Sequence, residues 1–121
     1  MSVLVWTGVV LIGGAAAVVR FIVDAAVGTF VGREFPYGTL VVNVSGALVL
    51  GLLAGLTLGD DEALLAGTAA IGSYTTFSTW MLETQRLDEE HQHRVAVANI
   101  VVSLVLGVTA AALGRAIGNH T

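Results

Sequence analysis

The stretch GSYTTFSTW at positions 72–80 places one glycine, two serines and three threonines inside a run of apolar residues that extends from 63 to 82. Two uses are open to them. Hydroxyls can bond back to carbonyls of the preceding turn and support a tight helix crossing. Alternatively Ser73, Thr75, Thr76 and Ser78 accompany a helix break near Gly72, which frees carbonyl oxygens to face a cavity or a cation. Asn43 and Asn99 lie deep in two other apolar runs, where an unpaired amide costs several kcal/mol. One such residue is ordinary interhelical glue. Two of them, with Ser103 one turn beyond Asn99, begin to outline a polar track. Phe77 and Trp80 share a helix face beside the hydroxyls, so their rings either pack or turn a positive edge toward an anion. Arg20, with Asp24 one turn later, either pairs and snorkels to the interface or forms an electropositive mouth.

The elements that must position these residues are membrane helices. Of 121 residues 55% are hydrophobic and 12% charged, and the mean hydropathy is +0.86, which is too apolar for a soluble domain. Apolar runs cover 3–23 with an extension to 31, 38–58, 63–82 and 95–113. Each has about 20 residues, enough to cross a hydrocarbon core as a helix. Backbone groups must pair internally in lipid, and runs this long do not read as barrel strands. The expected fold is an all-α membrane protein, one four-helix transmembrane domain over 1–121, with helices at about 3–31, 38–58, 63–86 and 94–117. Ala47, Gly51, Gly55 and Gly59 follow Asn43 at four-residue intervals, a stripe that lets another helix approach closely. The short links leave no room for a soluble domain, and so small a bundle points to an oligomer.

Nine acids stand against five arginines and no lysine, and the acids gather in the links at 59–62 and 87–93, read as solvated. Arg33, Arg86 and Arg94 oppose Arg115, a small bias that puts the links 32–37 and 83–94 in the cytoplasm. So slight a preference suits a chain that inserts both ways or needs an oppositely oriented partner. The first run lacks the basic start of a signal peptide and is followed by three further runs, so it reads as a helix. No cysteine is present, and His91, His93 and His120 are too few and scattered for a metal site. No nucleophile and base pair or phosphate loop can be assembled, so neither an enzyme nor a nucleic-acid partner is expected.

In chain order, GG at 13–14 leading to RF at 20–21, PYGTLVVNVSG at 36–46, GSYTTFSTW at 72–80 and NIVVSLVLG at 99–107 resemble the Fluc, or CrcB, family of fluoride channels. The likeness covers essentially the whole chain, and GTL-x-x-N together with TTFST is its specific part. It implies a passive fluoride-selective channel in a prokaryotic cell membrane. It also implies an antiparallel, dual-topology pair of four-helix subunits, each broken in the third helix, with two pores and a structural sodium ion on the two-fold axis. The pair would be a homodimer or a heterodimer with an oppositely oriented paralogue. Carried onto this chain, the resemblance makes Asn43 the pore asparagine, Phe77 the first pore ring and Ser103 a hydroxyl of the polar track, with Ser78 and Thr79 as further members. Arg20 becomes the vestibule arginine, and the backbone carbonyls of Gly72 and Thr75 the sodium ligands. Two positions depart from the pattern. Trp80 stands where relatives usually have a second phenylalanine, offering a ring edge and an N–H donor. Asn99 replaces a tyrosine found in many of them, and Gly107 also lies on that side of the track.

A dry pore must replace the water around fluoride with donors and ring edges, which uncharged amides, hydroxyls and an aromatic edge can supply. Fluoride enters cells as neutral HF and dissociates inside. The membrane potential favours anion exit by about 2.3 kcal/mol per 100 mV, so a channel alone suffices for export and fluoride resistance. A small multidrug-type transporter would need a carboxylate near the middle of the first span, and none occurs between 3 and 23. A non-transporting scaffold explains Gly51 and Gly55 but not the joint placement of Asn43, Asn99 and TTFSTW.

Overall fold

The computed structural model describes residues 2–56 and 58–120, and they are helical with short links. Helix α1 (Val3–Val31) starts where the Ser2 hydroxyl accepts the Val5 N–H at 3.1 Å, an N-cap that satisfies an otherwise orphaned donor. It stops at Gly32, whose φ of 108° suits a residue without a side chain. Pro36 then leads into α2 (Tyr37–Gly55). Position 57, within the run expected to reach 58, lies outside the described residues. The last helix, labelled α6 below, is His93–Asn119. These three helices are long and apolar enough to cross a membrane.

The third expected span is not one helix. It comprises α3 (Asp60–Ala63), a π-helical segment Leu64–Ile71, α4 (Gly72–Tyr74), an unwound stretch 75–77 and α5 (Ser78–Glu89). The acidic link at 59–62 is more than a solvated loop. Glu62 Oε2 accepts the Gly59 N–H at 2.8 Å, and Asp60, Asp61 and Glu62 occupy the first turn of α3, where the helix dipole favours negative charge. The break also lies later than expected. Gly72 is helical, with φ −61° and ψ −35°. The chain leaves the helix at Thr75, with φ −80° and ψ 160°. A break in lipid forms where the released peptide groups find partners, and those partners face Thr76 rather than Gly72.

The frame is the α2–α6 pair, the most extensive packing in the molecule. Its seam is reciprocal. A Cβ on Gly51 or Gly55 would collide with the carbonyl oxygens of Ala111 and Arg115, and one on Gly114 or Gly118 with those of Leu48 and Leu52. Small residues four apart on both helices therefore bring the two backbones together. Gly51 and Gly55 belong to the stripe visible in α2, whereas the matching pair on α6 was missed. Elsewhere little is hidden: Val42, Ala69, Leu87 and Ala96 are the buried apolar side chains among the described residues, while Val3, Leu4 and Phe30 are more than 80% exposed. Such a surface needs lipid or another subunit around it.

Candidate ion pathway

The unwound stretch is held by one side chain. Asn43 Nδ2 donates to the Thr76 carbonyl at 2.8 Å, and Asn43 Oδ1 accepts the Thr76 N–H at 2.8 Å, so a single amide satisfies both backbone groups of the residue at the break. Asn43 has one further N–H, uncommitted among the described residues. One turn along α2, Gly46 makes room for Thr75, whose Cγ2 lies where a Cβ would stand. Ser45 Oγ and the Tyr74 hydroxyl lie 3.0 Å apart and tie α2 to α4. The threonines act locally. Thr75 Oγ1 donates back to the Ile71 carbonyl at 3.0 Å, and Thr76 Oγ1 accepts the Thr79 N–H at 3.2 Å, capping the restarted helix α5. Because the Thr76 N–H turns to Asn43, the Gly72 carbonyl loses its helical donor.

Two openings meet at Thr76. On one side a groove of about 310 Å³ is lined by Asn43, Gly46, Thr75, Thr76, Phe77 and Trp80, among others. On the other a cleft of about 170 Å³ is lined by Arg20, Phe21, Asp24, Thr39, Val42, Thr76 and Thr79. The structure thus joins Asn43, Thr75, Phe77 and Trp80 in one opening and Arg20 with Thr79 in the other. Ser78 is exposed, and its Oγ lies 3.5 Å from Thr76 Oγ1. No ion pair joins Arg20 to Asp24 among the described residues, where the His93–Asp88 pair is the salt bridge found. The pairing alternative fails because Asp24 instead packs against Gly38, leaving the guanidinium on the cleft.

Phe77 is 71% exposed and stands nearly perpendicular to Trp80, with centroids 5.7 Å apart and planes at 83°. The indole N–H is not available to an ion, because it donates to the Asn99 backbone oxygen at 3.1 Å. Asn99 is fully buried, and its Nδ2 donates to Thr84 Oγ1 at 2.9 Å. Trp80 and Asn99 are therefore in contact. Ser103, one turn further along α6, has a buried Oγ with no partner among the described residues, as does Asn99 Oδ1. Thr109 is exposed and bonds back to the Val105 carbonyl at 2.7 Å, so it adds nothing to that buried polar line.

Sequence reasoning missed Thr39, whose Oγ1 donates to Glu83 Oε1 at 2.5 Å. The signal was present, since Thr39 precedes Asn43 by one helical turn and so shares its face. It also missed Gly46 and Thr84, whose roles depend on what lies opposite them.

The family model described as "CrcB-like protein, Camphor Resistance (CrcB)" matches residues 7–115. The chain is 64% identical over 114 residues to the fluoride-specific ion channel FluC 2 of Mycolicibacterium paratuberculosis, covering 94% of this chain and 93% of that one. It is 61% identical to FluC 2 of Mycobacterium bovis, over 95% of this chain and 91% of the other. A more distant relative, fluoride-specific ion channel FluC 1 of Symbiobacterium thermophilum, is 40% identical over 93% and 96%.

Proposed function

The chain belongs to the CrcB-like family, and from that premise we propose that it is a fluoride-specific ion channel of the cell membrane, exporting the anion passively and so conferring fluoride resistance. The observation that carries this reading is the identity of 64% across 94% of the chain with a channel of that specificity. The protein is a multi-pass membrane protein and not an enzyme.

The chemistry of the two openings fits this task. Fluoride is a small acceptor of hydrogen bonds, so its path needs donors and ring edges rather than a fixed charge that would hold it. Arg20 lines the cleft with no ion pair among the described residues, and its charge draws anions toward the mouth. Asn43 keeps one N–H beyond the one that clamps Thr76, uncommitted among the described residues, and Thr79 adds a hydroxyl on the cleft side. Phe77 projects an exposed ring whose positive edge can face an anion. Ser103 supplies a buried hydroxyl whose donor is uncommitted among the described residues.

The working unit is an antiparallel pair of subunits, either two copies or one copy with an oppositely oriented paralogue. The sparse interior and the groove open beside Phe77 and Trp80 support a second subunit covering that side. The residues at the break also fit a structural sodium ion. A hard cation takes oxygen ligands, and here the Gly72 carbonyl has lost its helical donor and Thr75 is extended. Carbonyls of Gly72 and Thr75 would hold the ion, which would fix the two subunits at their breaks.

Fluoride efflux from liposomes containing the purified chain, read with a fluoride electrode and compared with chloride, tests the assignment. Fast fluoride release with chloride retained is expected, with release strongly reduced by Phe77→Ile and by Asn43→Asp. Comparable chloride flux from correctly assembled protein rejects the reading.

A further inference from the structure

We propose that Asn99 is a positioning residue for the aromatic pair: it fixes the Trp80 indole against Phe77 and thereby sets the rate of anion passage. The inference deepens the channel reading above and rests on it. Trp80 is held at both ends by this one residue of α6. Its indole N–H donates to the Asn99 backbone oxygen at 3.1 Å. Its own carbonyl receives Thr84 Oγ1 at 2.9 Å and a longer approach from Asn99 Nδ2 at 3.5 Å. Asn99 Nδ2 in turn donates to Thr84 Oγ1 at 2.9 Å, which closes a ring of contacts joining α5 to α6.

The consequence is a restrained indole beside a freer phenyl. Turning the indole about its side-chain torsions would forfeit the bond of its half-buried N–H, so the ring keeps one orientation, perpendicular to Phe77. Phe77, 71% exposed, has no such anchor among the described residues, and its ring meets the indole edge-on. Helix glue accounts for the Asn99 amide N–H but not for its oxygen. Its side chain is fully buried while Oδ1 has no partner among the described residues, and a buried acceptor left unpaired carries a desolvation cost that simple packing does not require. What the amide does, and leucine does not, is reach Thr84 and the Trp80 backbone together.

The chain has two tryptophans, so a Trp6→Phe background leaves Trp80 as the sole emitter. In that background, fluoride efflux from liposomes and the emission and acrylamide quenching of Trp80 are measured for Asn99→Leu and Thr84→Val. Efflux alone is measured again for each in combination with Trp80→Phe. Asn99→Leu is expected to slow efflux about tenfold, the upper size of one lost hydrogen bond, and to raise quenching. Leucine keeps the backbone oxygen that receives the indole N–H but loses the side-chain tie to Thr84 that holds this oxygen in place, so in combination with Trp80→Phe it should change efflux by less than about twofold, because a ring without an N–H does not use that oxygen. Thr84→Val should produce the same two changes, smaller in size, and it carries the test if Asn99→Leu does not assemble. An efflux loss equal with and without Trp80→Phe, or a loss with unaltered Trp80 emission, overturns the proposal. Absence of fluoride flux from the parent protein overturns the channel reading instead, and the emission changes then still report whether Asn99 anchors the indole.

Discussion

The α2–α6 seam and the contact between α2 and the third-span break are built on the same helix in opposite ways. At the seam, Gly51, Gly55, Gly114 and Gly118 remove side chains so that backbone meets backbone, and shape alone holds the pair. At the break, Asn43 supplies one amide that replaces the two hydrogen bonds a helix would have made at Thr76. Lipid tails are as apolar as leucine, so burying apolar surface does not drive helices together in a membrane; close packing and hydrogen bonds do. One end of α2 uses the first and the other the second. The rigid seam makes the break tolerable, because α2 presents Asn43 at a fixed position for Thr76 to meet.

The most damaging test breaks the seam. Gly114→Leu forces a branched side chain into the Leu48 carbonyl. Overpacking of this kind costs about 1–3 kcal/mol and more where backbone must move, so loss of monodisperse protein on size-exclusion chromatography is expected, and unchanged elution would show the seam to be soft. Next comes the clamp. Asn43→Ala leaves the Thr76 N–H and carbonyl without partners, at about 1–3 kcal/mol for each group. A lowered thermal midpoint in detergent and abolished fluoride efflux should follow, and a midpoint equal to the parent's would mean that the break holds itself. Thr76→Val removes only the acceptor for the Thr79 N–H. The loss of that cap is worth about 1 kcal/mol, seen as a small fall in midpoint with helix content by circular dichroism retained. The smallest effect on stability sharpens the contrast between frame and path. Phe77 is 71% exposed, so Phe77→Ile should leave the midpoint within about 0.5 kcal/mol of the parent while efflux falls strongly. A matching loss of stability would instead make that ring part of the frame.

Several elements were legible because they depend on properties local to the chain. Apolar length marks α1, α2 and α6, and the four-residue spacing marks Gly51 and Gly55. The hydroxyl-rich stretch announced a break but misplaced it by three residues, at Gly72 rather than Thr75. Glycine permits unwinding, yet in lipid the released N–H and C=O must be met from elsewhere, and Asn43 sits 33 residues away in sequence. Arg20 and Asp24 have pairing spacing and do not pair, since Gly38 on α2 lets Asp24 pack there. The Thr39–Glu83 and Trp80–Asn99 contacts span 44 and 19 residues, and no periodicity along one helix reports them.

Composition and order alone thus determined that the chain lives in a membrane, how many apolar runs it has, and which uncharged polar groups are buried with them, because hydrophobic length and small-residue spacing act along a single helix. Tertiary structure decided which of those groups serve the backbone and which stay uncommitted. Asn43 spends one N–H and its oxygen on Thr76, Trp80 has lent its N–H to Asn99, and Ser103 Oγ has no partner among the described residues. A hydrogen bond has two ends, and only the folded chain brings the second one within reach.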